Sequence, residues 1–327
     1  MKPILCNYYI TYRCNAHCIF CDIWRSPQHS SKKDAEIKEV IRNLRDLRRL
    51  GVKFIDFTGG EPLLHKDLPV MLTEARRLGF FTSVTTNCLL YPTRARELQG
   101  LVNFLHFSLD SSEEKEHDAL RGTRTFFRVM ESIDLALELG EKPDLLFTVT
   151  NQNYQAIDEL YQFALQKKLI LIVNPVFSNG GYNSLGNAVL DYLDGYQQRP
   201  YVYINRALHR LIRGGGNDPG NPRCRAVSST VVISPQNELL LPCFHRARFK
   251  IPVRNTLIAL RKTAAVQKAL RDQGRYPFCQ GCTINCYFDP SFLFQWDTYF
   301  WESLISKAKY GYDKYVRLSR SKLHLKK

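Results

Sequence analysis

The chain has 327 residues, 44% hydrophobic and 24% charged, a length and balance that predict a globular fold of about two domains with a sizeable core. No run of roughly eighteen apolar residues is present, which excludes a bilayer-crossing helix, and the opening stretch through Ile10 lacks the basic-then-apolar pattern of an export signal. The net charge of +15 asks for an anionic partner: nucleic acid, a membrane surface or an acidic protein.

In chain order, the apolar run up to Ile10 predicts a first strand. It leads into Tyr12-Arg-Cys-Asn-Ala-His-Cys-Ile-Phe-Cys-Asp22, which sets Cys14, Cys18 and Cys21 on one short loop with Phe20 immediately before the last thiol. Three thiolates hold three corners of a cubane iron-sulfur cluster and leave the fourth iron open. Zinc is the alternative use of such a loop, although zinc loops usually pair their cysteines as C-x2-C. Beyond it, strand-like runs at 54–57, 80–86, 104–109, 145–150 and 169–176 alternate with helical stretches at 34–50, 68–78, 93–98, 126–139 and 156–167. This cadence predicts an α/β fold with a parallel sheet of six β/α units, whose ligands gather at the carboxyl ends of the strands.

The candidate site residues stand at those ends. Gly59, Gly60, Glu61 and Pro62 follow the second strand. The glycines allow close backbone approach to a ligand, and Glu61 offers a carboxylate to a bound amine; the same stretch also suits a tight turn with a helix N-cap. Thr86 and Asn87 end the third strand, Ser108 and Asp110 the fourth, and short polar side chains there also cap helices. Arg121 suits bidentate binding of a carboxylate or a solvated surface position. Thr148, Thr150, Asn151 and Asn153 close the fifth strand, and Asn174 and Pro175 the sixth.

The pattern C-x3-C-x-aromatic-C at Cys14, Cys18, Phe20 and Cys21, followed at the next strand end by Gly59-Gly60-Glu61-Pro62, resembles the radical S-adenosylmethionine (SAM) superfamily. The resemblance implies a partial (β/α)6 barrel over 1–215 and a catalytic 4Fe-4S cluster that chelates SAM. One electron then gives methionine and a 5'-deoxyadenosyl radical. It also implies a flavodoxin- or ferredoxin-type electron donor. In that family the GGEP motif grips the SAM amine, the residues matching Ser108 and Asp110 contact its ribose or carboxylate, and an arginine like Arg121 is directed at the carboxylate. The family's G-x-I-x-G-x-x-E motif near adenine is absent, which leaves the adenine contacts unassigned.

Ten cysteines in a chain without an export signal argue for metal ligation in a cytoplasmic protein. Cys6 and Cys88 stand alone and read as buried small hydrophobes. Cys224 and Cys243 flank two strand-like runs, 227–233 and 238–241, that predict a hairpin, and Cys279, Cys282 and Cys286 form a compact loop. Four of these five thiols suffice for a second 4Fe-4S cluster, with structural zinc as the alternative. The order resembles the twitch auxiliary domain, a shortened SPASM domain, placed over 216–290. That resemblance favours Cys224, Cys243, Cys279 and Cys282, with Cys286 a substitute ligand or free thiol. Residues 279–290 also resemble the C-terminal cysteine loop of adenosylhopene synthase, which tilts the substrate toward an apolar or lipid-like molecule. A modified peptide is the competing substrate, and other small molecules remain open.

The last segment, 291–327, has six Lys and two Arg against two Asp and one Glu, hence 8 − 3 = +5, and is rich in aromatics. Phe292, Phe294, Trp296, Tyr299, Phe300, Trp301, Leu304 and Ile305 fall close to one helical face. Such a helix either lies on an anionic membrane, as peripheral contact at the inner membrane surface, or packs on its own domain. A tRNA partner fits the charge, but no RNA-binding module is recognisable, so nucleic acid is not the expected partner. A zinc-stabilised module binding nucleic acid is the reading of a different class.

Overall fold

The computed structural model describes residues 2–27, 33–177 and 184–318. Its strands are β1 (Leu5–Thr11), β2 (Phe54–Gly59), β3 (Phe81–Thr86), β4 (Phe104–Ser108), β5 (Asp144–Val149), β6 (Leu171–Pro175), β7 (Val202–Tyr203), β8 (Thr230–Ile233), β9 (Glu238–Leu241) and β10 (Phe249–Pro252). The helices among the first seven strands are α1 (Ile37–Leu50), α2 (Leu68–Arg77), α3 (Tyr91–Leu98), α4 (Glu114–Arg121), α5 (Phe126–Glu138), α6 (Ile157–Lys167) and α7 (Asn187–Asp194). After β7 come α8 (Arg206–Arg213), α9 (Ala226–Ser229), α10 (Leu257–Arg261), α11 (Ala264–Asp272), α12 (Asn285–Ser291) and α13 (Thr298–Gly311), the last running on as a π-helical turn, Tyr312–Arg317. One ten-stranded sheet results, in the order β10-β9-β8-β1-β2-β3-β4-β5-β6-β7.

Alternation along the strands sends one set of side chains under the helices. Cys6, Tyr8 and Ile10 of β1, Ile55 and Phe57 of β2, Phe107 of β4 and Leu145, Phe147 and Val149 of β5 are all buried there. The helices answer at 3.6-residue spacing, with Val40, Leu44 and Leu47 of α1 and Val129, Ile133 and Ala136 of α5 buried. The sheet's other face carries a different cast. Phe54, Phe81 and Phe104 pack together at its amino end, their ring centroids 5.3 to 6.5 Å apart. Next along it come Asp56, paired with Ser83 across the β2–β3 register, and His106, paired with Asp144 across β4–β5. Lys314 and Tyr310 donate to the Asp144 carboxylate at 2.5 and 2.7 Å, so the C-terminal helical segment is anchored on this buried acid.

The expected parallel β/α alternation is observed. Three features differ from expectation. α4 was not foreseen because its sequence, Glu-Lys-Glu-His-Asp-Ala-Leu-Arg, offers hardly any apolar period; its buried members are His117 and Arg121. β7, α7 and α8 were also not foreseen; β7 has only two residues, whereas α8 does carry a helical pattern, with Ala207, Leu208, Leu211 and Ile212 buried on one face. The C-terminal hairpin, β8 and β9, does not stand apart from the first sheet. β8 pairs in parallel with β1, Leu5 opposite Thr230 and Tyr8 opposite Ile233, while residues 227–229 of the expected first strand turn helical as part of α9. Residues 178–183, and Arg320, Lys322, Lys326 and Lys327 of the tail, lie outside the described residues.

Candidate cluster and nucleotide site

The loop with Cys14, Cys18 and Cys21 leaves the carboxyl end of β1 and is tied down on two sides. On one side the turn after β2 is stapled to its root, with Gly60 N–H donating to Thr11 O at 3.0 Å and Glu61 N–H to Arg13 O at 2.8 Å. A Cβ on Gly59 would lie 1.9 Å from Thr11 O, and one on Gly60 2.2 Å from Arg13 O. The two glycines therefore make room for the protein's own backbone, where the sequence suggested room for a ligand. On the other side, α4 ends against the loop: His17 N–H donates to Arg121 O and Ile19 N–H to Leu120 O, both at 3.0 Å.

Glu61 is buried, and both carboxylate oxygens are engaged by backbone, accepting from Leu63 N–H at 3.0 Å and Asn87 N–H at 2.8 Å. Burial pushes its pKa up to about 7 against these hydrogen bonds. Its visible role is to lock the end of β2 to the end of β3. Asn87 extends the lock, its Nδ2 donating to Asn15 Oδ1 between the first two thiols at 2.8 Å. Thr86 Oγ1 accepts from Cys88 N–H at 3.0 Å, and Ser108 is buried at the end of β4.

Arg121 and Asp110 form a buried ion pair, Nη2 to Oδ2 at 2.7 Å, off the direction a hydrogen bond needs. Asp110 Oδ1 accepts from Thr148 N–H at 2.8 Å, and Arg121 Nη1 lies 3.7 Å from Cys18 Sγ. Arg121 thus faces the cluster loop and an acid of its own chain. Its buried Nε and Nη2, and Asp110 Oδ2, have no hydrogen-bond partner, so polar capacity remains beside the loop. Burial also lifts Cys14 to about 12 and raises Cys21. Protonated thiols there have to give up their protons to hold metal.

A cleft of about 470 Å³ opens beside the loop at the carboxyl ends of β5 and β6. Phe20, Cys21 and Asp22 form one wall and Thr148, Asn174 and Pro175 another. The third wall, Phe177, Phe244 and His245, carries no motif in the sequence, and His245 packs edge-on against Phe177 at 4.8 Å between ring centroids. Only the position of Phe244 and His245 directly after Cys243 could have hinted at them. Thr150 and Asn153 instead build their own turn, where Asn153 Oδ1 accepts from Thr150 N–H at 2.7 Å, and Asn151 holds the next segment, accepting from Gly186 N–H at 2.9 Å.

All ten cysteines are free thiols. Cys224, Cys243, Cys279 and Cys282 line one small enclosed cavity behind the hairpin. Burial raises all four thiols, opposed in part by the backbone of Ala226 at Cys224, Arg246 at Cys243, Tyr276 and Gly274 at Cys279, and Ile284 at Cys282. These thiols, like Cys14 and Cys21, have to lose their protons to hold metal. Cys286 sits close enough to raise Cys243 but is absent from the cavity wall. Asn217 was missed by sequence reasoning and organises this group. Its Nδ2 donates to Gly274 O at 2.8 Å and Cys279 O at 3.2 Å, while its Oδ1 accepts from Arg223 and Cys224 N–H at 3.2 and 3.3 Å. Among the described residues no three His, Cys, Asp or Glu side chains converge as ligands of a single ion.

The comparisons agree with this arrangement. Residues 8–164 match the model of the Radical SAM superfamily. A GTP 3',8-cyclase of Marinobacter nauticus is 32% identical over 165 residues, 49% of this chain and 50% of that protein, so the match spans about half the length of this curated relative. Streptococcus suis SuiB bound to S-adenosylmethionine superposes with a TM-score of 0.66 at 20% identity, covering 83% of this chain and 68% of SuiB. The native anSMEcpe with bound AdoMet and Cp18Cys peptide gives a TM-score of 0.62 at 17% identity, covering 98% of this chain and 99% of that one. Residues 8–164, which place the three-cysteine loop and the GGEP turn on one parallel sheet, are a Radical SAM domain.

Proposed function

We propose that this chain is a radical SAM enzyme that reductively cleaves S-adenosylmethionine in the cleft beside Phe20 and Cys21 and modifies a substrate held there. The observation that carries the reading is the double tether of the cysteine loop, by the Thr58–Pro62 turn and by α4, beside a cleft at the carboxyl ends of β5 and β6. Cys14, Cys18 and Cys21 would hold a 4Fe-4S cluster, which when bound supplies the electron that splits SAM. Around it, Arg121 donates toward Cys18 Sγ, a contact that favours thiolate, and its unsatisfied Nε is a donor for a carboxylate. Glu61 and Asn87 hold the loop in register, and Ser108 stands at the neighbouring strand end. Phe20, Phe177 and Phe244 exclude water from the cleft, as radical chemistry requires.

Cys224, Cys243, Cys279 and Cys282 would hold a second, auxiliary 4Fe-4S cluster, supported by the cavity the four line together. An acidic flavodoxin or ferredoxin suits the chain's positive charge. The aromatic wall favours an apolar substrate. A peptide is the second reading, favoured by the peptide in the anSMEcpe complex and by SuiB having also been solved with its precursor peptide SuiA. Anaerobic incubation of reconstituted protein with dithionite and SAM tests the core of the proposal. The wild type is expected to release 5'-deoxyadenosine and Cys14→Ala none; release by Cys14→Ala at the wild-type rate refutes the ligand assignment.

A further inference from the structure

The C-terminal helical segment is inside out. Polar side chains of this segment face the protein, each in a specific contact: Glu302 with Arg210, Lys307 with Asp289, Lys309 with Val202 O, and Lys314 with Asp144. Ser303, Ser306 and Asp313 are buried beneath it. The opposite side carries Trp301, Leu304, Ile305, Tyr312 and Val316 at helical spacing, joined by Trp296 just before α13. Trp296 is 80% exposed, Trp301 53% and Ile305 51%. No charged residue interrupts this stripe, which runs roughly 20 Å at the usual helical rise. A surface helix of a soluble domain normally shows the reverse arrangement.

We propose that this stripe is a docking surface for an anionic lipid bilayer, lying in the interface with the helix axis parallel to the membrane. Its composition fits, because Trp and Tyr prefer the headgroup region and Leu, Ile and Val the acyl boundary. Charge selects the lipid. Arg317, over the Tyr312 ring at 5.4 Å, sits at the rim but is paired with Asp313 at 2.8 Å, so the free positive charge comes from the sequence directly after the stripe, which adds Arg320, Lys322, Lys326 and Lys327 without an acid. A second copy of the chain is the other candidate for covering an apolar helix face, but two chains of +15 repel each other while an anionic surface attracts both.

Flotation of the full chain tests this, using vesicles of phosphatidylcholine alone and vesicles containing about one third phosphatidylglycerol. The wild type is expected on the anionic vesicles, with binding that weakens as salt is raised. Trp301→Glu/Ile305→Glu is expected to lose at least about tenfold in vesicle affinity with unchanged circular dichroism and iron content, since both side chains point to solvent. Binding by the double variant equal to wild type, equal binding to neutral vesicles, or a concentration-dependent dimer in sedimentation that the double variant abolishes would each overturn the proposal.

Discussion

Individual side chains in this protein are held in states that water would not give them. Asp56 sits on the unhelical face of β2 with Ser83 as its hydrogen-bond partner, and burial lifts its pKa from 3.8 to about 6. The fold thus prefers protonated Asp56, so its stabilising contribution is complete below pH 3.8 and is lost as pH rises through 6. Asp56→Asn keeps a neutral partner for Ser83 at every pH. Urea unfolding of the metal-free protein is expected to show the variant gaining on wild type across this window, by about 3 kcal/mol at the plateau; parallel pH profiles would contradict the assignment. Asn217 carries a different kind of weight, because one amide serves two donors and two acceptors across the two segments that carry Cys224 and Cys279. Asn217→Ala orphans those groups at on the order of 1–3 kcal/mol for each one left buried. Iron bound at the C-terminal thiols is expected to fall, and Asn217→Asp, which keeps the acceptor, to retain more of it than Asn217→Ala.

At the scale of elements, α4 shows how a segment with no hydrophobic signature comes to organise a site. Its last turn supplies Arg121 to the ion pair with Asp110, and its terminal carbonyls hold the cysteine loop. Gly122 then reverses the chain at φ +61°, and a Cβ there would lie 2.3 Å from His17 O. Gly122→Ala has both a left-handed backbone penalty, about 1 kcal/mol, and a backbone clash to relieve. It is expected to push the loop away from α4, so that iron uptake by Cys14, Cys18 and Cys21 drops while the C-terminal site still loads; unchanged total iron and unchanged thermal stability would sink this account. The strands of the parallel sheet were legible because buried strands need near-continuous apolar runs, and the helices α1 and α5 because their buried faces repeat at helical spacing. The wall made by Phe177, Phe244 and His245 was not, since such residues converge only after β8 docks beside β1, a pairing that joins positions more than two hundred residues apart in sequence. Glu61 shows the converse: its motif was visible at once, yet its bracing of Leu63 and Asn87 N–H follows from the neighbouring strand end and not from the motif.

Over the whole molecule, the two thiol groups sit at opposite ends of the sequence and are brought onto one sheet. β1 delivers the first at its carboxyl end, and β8 and β9, extending the same sheet from β1, lead to Cys243 and to Phe244 and His245 in the cleft. This continuity implies that the C-terminal thiol group braces the cleft wall. Metal analysis of anaerobically reconstituted protein discriminates the readings by count. Two cubanes give about eight irons and eight sulfides per chain, whereas a zinc-stabilised nucleic-acid module gives about two zincs and no sulfide. The variants then divide the total. Cys14→Ala/Cys18→Ala is expected to lose about half the iron and all SAM cleavage, leaving the C-terminal cluster in place. Cys279→Ala/Cys282→Ala is expected to lose the other half and, because Cys243 loses its partners, to loosen the Phe244–His245 wall, so that quenching of a cleft-bound fluorescent SAM analogue weakens. If both pairs removed all iron together, the sites would be one cooperative unit; if the second pair removed none, the C-terminal cysteines would be structural thiols and the auxiliary cluster would have to be abandoned.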